Sequence, residues 1–452
     1  MERPISKAVA GAAALLVYCA LALFISQSSA KLVLLAVGGL LLTASAFIYA
    51  EGALYALIFS MLLSPQIVVG ETAAREITLR LDDFLIIFIS LGWLARVAVN
   101  KELGLFLRTP LNGPIGLYIL ACVASTSAGV VAGLVGPLSG AFFLLKYVEF
   151  FFVYFIAVNH VKDGTQVKRF VAALLVVCLL TSIYALIQVP LGGRVSAPFE
   201  KYSEPNTLGG YLVLMLSLTA GMMMTARKRR SIFMLCGVGA VIAVPLLHTL
   251  SRASWLAGTM MTLALLVFSD RKLALAAAVA LAVAVSPLVL PEQVKERAVS
   301  TFQPDRGFRQ SQTVAGVTLD PSTSERISGF KRSLSKWSDR PIFGYGITGA
   351  GFIDGQYFRT IVELGLVGLA AFLYMLYRVF RILYTAYRSE EDPYFRGLAL
   401  GALAGLLAMM AHALGSNSFM IVRIMEPFWF AVGLIVAHGL AKAGDSRDAA
   451  YE

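Results

Sequence analysis

The stretch Pro341–Gly368, PIFGYGITGAGFIDGQYFRTIVELGLVG, opens as a glycine-rich loop and closes as an apolar helix. The apolar half runs on to about residue 383, and about 20 such residues suffice to cross a bilayer as a helix. Three ions, Asp354, Arg359 and Glu363, stand at the join. An ion inside a span costs roughly 2.5–3.5 kcal/mol at mid-helix on insertion scales, so it marks a functional candidate. Reading this stretch as a polar loop feeding a membrane span decides the fold of everything around it.

The rest of the chain agrees. Its 452 residues are 58% hydrophobic and 14% charged, with a mean hydropathy of +0.76. Soluble domains are nearer half apolar and a quarter charged. About fourteen windows have spanning length, near 8–26, 30–50, 52–68, 82–98, 113–134, 139–159, 169–190, 206–226, 231–249, 253–269, 273–290, 357–383, 396–415 and 420–441. The window at 52–68 is short enough to be re-entrant. Apolar runs this long lack the period-two alternation of barrel strands. The predicted fold is all-α: a polytopic membrane bundle of about 12–14 transmembrane helices with one long periplasmic loop. The sequence divides into a bundle over 1–290, a loop with a short amphipathic helix over 291–356, and C-terminal spans over 357–452.

The net charge of +11 falls largely in short loops such as RKRR and DRK, where it sets topology and gives no reason to expect nucleic acid. These loops predict cytoplasmic N- and C-termini and place 291–356 outside. Arg3 and Lys7 precede an apolar run without a small-residue cleavage site, which reads as a retained first helix. Cys19, Cys122, Cys178 and Cys236 lie in apolar windows without a CxxC pair, so they read as packing residues.

Within the outer loop, STSERISGFKRSLSKW (322–337) reads as an amphipathic helix with a capping box of Ser322 and Glu325. Ile327, Phe330, Leu334 and Trp337 form its apolar stripe. Glycines 344, 346, 349 and 351 then permit tight turns.

Ions pair inside the spans, and two of the three pairs, Arg359–Glu363 and Arg423–Glu426, fall at the outer face. Lys146–Glu149, Arg359–Glu363 and Arg423–Glu426 have the spacing that puts partners on one helix face. Each pair is read either as self-neutralising glue between helices or as part of a site. TLSRAS contributes Arg252, and GGRVSAPFEKYSEPNTLGG contributes Arg194 and Asn206. Guanidinium forks at an outer leaflet match a lipid diphosphate, while the plainer reading pairs them with local carboxylates. The four histidines, His160, His248, His412 and His438, form no HExxH, and no metal site or cofactor is predicted. No Walker or dinucleotide fingerprint is present, so the driving force is expected to reside in the substrate.

Three motifs in order carry a resemblance. DRPIFGYGITGAGFIDGQYFRTIVELGLVG, LSRASWLAG and FEKYSEPNTLGGYL resemble signatures of the O-antigen ligase and Wzy-type polysaccharide polymerase superfamily, between about Arg194 and Gly368. The resemblance implies a metal-independent glycosyltransferase acting on undecaprenyl-diphosphate-linked oligosaccharide at the periplasmic face of a bacterial inner membrane. It implies that Arg252 and Arg326 hold the diphosphate. Where the ligases carry a histidine, this chain has Asp354, which favours a polymerase joining repeat units into O-antigen, capsule or exopolysaccharide. Asp354 is the first candidate base, or else a helix cap; Glu363 either orients Arg359 or is the base itself. Arg194, Arg332, Arg359, Arg423, Asn206 and Tyr357 complete the expected substrate contacts. The rival readings are a ligase, in which His248 or His412 replaces the missing histidine, a lipid-linked glycan flippase, and a non-catalytic scaffold. Expected partners are the lipid-linked glycan and the bilayer, with a chain-length regulator and an export complex, and no nucleic acid.

Overall fold

The computed structural model describes residues 43–44, 48–71, 76–99, 108–200, 204–300, 313–314, 317–318 and 321–448. The predicted window at 8–26, with the retained first helix, and most of the window at 30–50 lie outside the described residues. The chain forms two compact units, one from Met1–Leu54 with Phe84–Leu105 and the other from Tyr55–Asp83 with Phe106–Glu452. The described helices are α1 (Ala50–Leu63), α2 (Leu81–Val99), α3 (Asn112–Val131), α4 (Pro137–His160), α5 (Gly164–Gln188), α6 (Pro205–Thr225), α7 (Arg229–His248) and α8 (Arg252–Phe268). They continue as α9 (Lys272–Val289), α10 (Glu292–Val299), α11 (Pro321–Asp339), α12 (Gln356–Ser389), α13 (Pro393–His412) and α14 (Val422–Asp448).

The protein is a helical, multi-pass membrane protein. Eight of the described helices are long and apolar enough to cross a bilayer, or nine if Lys272–Leu288 and Glu292–Val299, bent by 103°, form one broken span. Several expected windows fall short for visible reasons. The window at 52–68 ends at Leu63, after which Gln66–Glu71 (β1) and Glu76–Arg80 (β2) pair as an antiparallel hairpin. The helix α2 opens with Asp82 and Asp83 in its first turn, and α8 has only 17 residues.

In the second unit, α13 packs along α6 through small residues. A Cβ on Gly221 would lie 2.2 Å from the Gly401 nitrogen, and one on Gly401 would lie 2.6 Å from Leu218 Cα. Gly397, Gly401 and Gly405 thus line a seam where two backbones touch, the usual source of helix adhesion where lipid removes the hydrophobic drive. Across the bundle, α14 meets α4 through aromatic edges, with Phe151 and Trp429 ring centres 4.9 Å apart.

Buried ions tie the hairpin to the bundle. Arg80 pairs with Asp82 at 3.0 Å, and its backbone N–H donates to Asp83 at 2.8 Å. Lys146 bridges Asp83 and Glu149, the latter at 3.1 Å. The i,i+3 pair read from sequence therefore has a third member.

The opening stretch forms an interlock. At Gly365 the helix α12 breaks, with φ 68° and ψ −169°. A Cβ there would stand 2.1 Å from the Ile342 carbonyl oxygen, so both the angle and the space require glycine. Residues on either side of the break receive the turn. Leu366 N–H donates to Pro341 O at 2.9 Å, Tyr345 N–H to Val362 O at 3.0 Å and Gly346 N–H to Glu363 O at 2.8 Å. Ser125 of α3 donates to Glu363 O at 2.7 Å. The glycine-rich loop is thus a fixed strap bonded into a broken membrane helix.

The amphipathic helix of the loop is α11. Phe330 stacks on Phe358 with ring centres 4.0 Å apart, and Trp337 packs on Ala350, Ile353 and Val362. Leu334 is exposed, so the stripe meets the strap over part of its length. The side chains of Ser322 and Glu325 lie outside the described residues.

Candidate active site

A groove of about 530 Å³ opens between α11 and the strap, lined by Arg326, Arg332, Lys336, Phe352 and Asp354 among others. Helical spacing brings the cations to it, at 326, 332 and 336. Lys336 Nζ donates to Ala350 O at 2.9 Å and so pins helix to strap. Arg326 Nε lies 3.3 Å from Asp354 Oδ2, with the side chains 28% and 37% exposed. The other Asp354 oxygen accepts the Gly355 N–H at 3.1 Å. The position that caps α12 is Gly355, and no side chain caps it. The capping alternative for Asp354 therefore falls, because the chain turns at Gly355 with φ 89° and leaves the carboxylate facing the groove.

Arg326 also reaches toward a second group of cations. A Cβ on Gly415 would lie 3.4 Å from Arg326 Nη1 and 3.3 Å from Ala253 Cβ, which places the guanidinium beside the first turn of α8. Arg252 opens that turn and donates to Ser300 at 3.3 Å. Arg194 donates through Nε to Thr249 O at 2.9 Å and through Nη2 to Asn206 Oδ1 at 3.3 Å. Burial, and then the charges of Arg297, Arg326 and Arg252, hold Arg194 below the usual arginine range. Arg194 thus lies in the field of three further guanidiniums. Such an arrangement favours a multiply charged anion with oxygens for the forks.

Behind these arginines runs a buried hydrogen-bond chain. His412 Nδ1 lies 2.7 Å from Ser418 Oγ and Nε2 lies 3.1 Å from Ser254 Oγ. Ser254 donates to Ser251 at 2.8 Å, and Ser251 donates to Asn206 Oδ1 at 2.7 Å. Counting donors gives His412 its proton on Nε2, since the Ser254 hydroxyl hydrogen is already committed to Ser251. Ser251 also caps α8, accepting from Ser254 N–H, so the chain fixes the helix end that presents Arg252. Two glycines make room: a Cβ on Gly209 would strike Ser254 Oγ at 2.2 Å, and one on Gly210 would meet the His412 ring at 3.0 Å.

The remaining expected site residues lie elsewhere. Arg359 and Glu363 form a 3.0 Å pair with side chains 2% and 1% exposed. Glu363 further accepts from Thr348 N–H at 3.2 Å and from Tyr147 at 3.0 Å. The pair sits behind the strap and braces it, away from the groove. Tyr357 turns its hydroxyl to Met410 O at 2.8 Å. Arg423 pairs with Glu200 at 3.1 Å, not with Glu426, and donates to Pro198 O and Ser64 O. Burial lifts Glu200 to about 7, with Arg423 opposing the shift. His248 bonds to Val244 O of its own helix at 2.9 Å. Sequence reasoning missed Arg297, Lys336 and the serine–histidine chain. Arg297 lies three residues before Ser300, the partner of Arg252, but no sequence pattern connects α10 to α8.

Among the described residues, no group of three histidine, cysteine or acidic side chains is placed to hold a metal ion. No curated protein matches the chain. Residues 240–373 match a family model, Wzy_C, described as O-Antigen ligase. The matched segment holds Arg252, Arg326, Arg332, Asp354 and the strap, and it supports a membrane enzyme that handles lipid-linked glycans. Residues 240–373 thus carry an O-antigen ligase-type domain, in agreement with the O-antigen ligase and Wzy-type superfamily.

Proposed function

We propose that the protein is a polymerase that joins undecaprenyl-diphosphate-linked oligosaccharide repeats at the periplasmic face of the inner membrane. The observation that carries this reading is the double engagement of Arg326. It pairs with Asp354 and belongs with Arg252 and Arg194 to one cationic group. The donor diphosphate binds among these arginines and draws Arg326 toward itself. Asp354 is then released to accept the proton of an acceptor hydroxyl. The bond from the anomeric carbon to the diphosphate oxygen breaks, and its electron pair leaves on the diphosphate. The acceptor oxygen forms the new glycosidic bond as Asp354 takes its proton. The guanidiniums supply the positive charge at the leaving group, so neither nucleotide nor metal is assigned a role.

Orientation is part of the proposal. Basic loops at the bundle end opposite the strap, including Arg227–Arg230, Arg271 and Lys272, support cytoplasmic placement of that end and of both termini. A chain-length regulator and an export complex are the expected protein partners.

A second reading, transfer of the finished glycan to a different acceptor, is favoured by the description of the matching family. Asp354 at the position of the ligase histidine favours polymerisation. The test uses purified protein in vesicles with a lipid-diphosphate repeat unit, a chelator and no nucleotide. A ladder of products, lost in Arg252→Ala and Asp354→Asn, is expected. Labelled lipid crossing the bilayer without a ladder would overturn the enzyme reading in favour of a transporter.

A further inference from the structure

At the bundle end opposite the strap, α12 and α14 leave a groove of about 660 Å³. That size is within the ~300–1,000 Å³ usual for small-molecule sites. Its polar side is built by α12. Arg378 donates to Tyr374 at 2.9 Å, and Arg381 donates to Tyr377 at 2.9 Å. Arg378 also reaches Pro110 O at 3.4 Å, which closes the groove against the segment before α3. The two tyrosine–arginine pairs each span four residues and are offset by three, so they share one helix face. A guanidinium carries five N–H donors, and these bonds leave most of them to the groove.

Among the described residues, no carboxylate lines the groove. The nearby Glu390 is already engaged by Lys442 and His438, each at 3.2 Å. Ile382, Ile435 and Leu440 form the apolar wall. Two cations with preset forks, two interfacial tyrosines and a greasy wall meet in one concavity. The arginines would need no concavity if they only snorkelled to the interface, as isolated basic residues near helix ends do.

We propose that this groove binds an anionic phospholipid of the surrounding bilayer. Its phosphodiester would sit between Arg378 and Arg381, with an acyl chain along the Ile382–Leu440 wall. Charge complementarity commits the groove to this occupant, since a zwitterionic headgroup brings a cation that the two arginines repel. The site lies at the other end of α12 from Asp354 and does not depend on the polymerase reading.

The test is native mass spectrometry of the delipidated full-length protein, titrated with phosphatidylglycerol or phosphatidylcholine. One phosphatidylglycerol should bind about thirty-fold more tightly than phosphatidylcholine, the preference expected from two interfacial arginines. Arg378→Gln with Arg381→Gln should reduce that preference to about twofold. Arg388→Gln with Lys272→Gln, exposed residues at the same end but outside the groove, should leave it intact. Arg378→Lys with Arg381→Lys should keep part of the preference, which separates loss of the site from loss of the fold. Equal binding of the two lipids by the wild type would overturn the proposal. So would an equal loss in the Arg388/Lys272 pair, since surface charge alone would then explain the preference.

Discussion

Arg326 and Asp354 form a partly buried ion pair, 3.3 Å from Nε to Oδ2, across the groove between α11 and the strap. With the Lys336–Ala350 hydrogen bond, the pair links the helix that supplies cations to the loop that supplies a carboxylate at this groove. If Arg326 serves the diphosphate, Arg326→Ala should lower turnover about 10²-fold, the usual scale for one transition-state donor. Arg326→Lys should recover part of it, because a point charge remains without the fork. Single-turnover kinetics on lipid-diphosphate substrate would check this. A fall confined to KM would show uniform binding and remove the proposed role in departure of the diphosphate.

His412 predicts a different signature. Its ring satisfies Ser254 and Ser418 in a buried site. His412→Ala strands both hydroxyls and should cost on the order of 1–3 kcal/mol for each that stays dry. Through Ser251 and Asn206 the disturbance reaches Arg194 and the first turn of α8. Donor KM should therefore rise more than kcat falls. A collapse of kcat at unchanged KM, in protein with a normal melting temperature, would instead point to proton transfer by the imidazole.

The buried pair Arg359–Glu363 can be assigned by breaking it in two ways. Glu363→Ala leaves an uncompensated arginine and should destabilise by about 3–5 kcal/mol. Arg359→Met together with Glu363→Gln removes both charges and keeps an acceptor for Thr348 and Tyr147. That double variant should regain much of the stability and, with it, the activity. A stable but inactive double variant would return Glu363 to the role of base.

Glu200 gives the pH prediction. Burial raises its carboxyl from 4.5 to about 7 in the folded protein, with Arg423 acting against the shift. The folded state therefore holds the proton more tightly than the unfolded chain. The stabilisation is complete below pH 4.5 and is lost as pH rises through 7, by up to about 1.4 kcal/mol per pH unit. Melting curves between pH 4.5 and 8 should show this decline, and Glu200→Gln should flatten it. An unchanged slope in the variant would mean that another group titrates there.

Much of this protein was legible in its sequence because membrane physics writes large. Apolar windows gave the helices from α3 to α8 and from α12 to α14, although α12 and α14 run about six and seven residues past their windows. The glycines of the strap announced tight turns, and the amphipathic helix over 322–337 was read nearly to its ends. Contacts between distant elements were not legible. Helical spacing shows which residues share a face but not what lies opposite. Arg423 accordingly met Glu200 and not Glu426, and Lys146 gained Asp83. The glycine seam of α13 was overlooked because Gly397, Gly401 and Gly405 look innocuous until Gly221 faces them. For Arg359 and Glu363, the i,i+4 spacing gave the pair itself, but not the strap that covers it.

The break at Gly365 bears on how the protein is made. The strap leaves the ribosome before the residues that receive its hydrogen bonds. A nascent chain that ends short of Val362 already carries Arg252, Arg326 and Asp354, but the bonds from Tyr345 and Gly346 to Val362 and Glu363 are still missing. The groove acquires its floor only when α12 has entered the bilayer on both sides of its glycine. Maturation of the reactive surface is thereby tied to completion of the membrane insertion programme, and an unfinished chain would carry its charges without the shape that aims them.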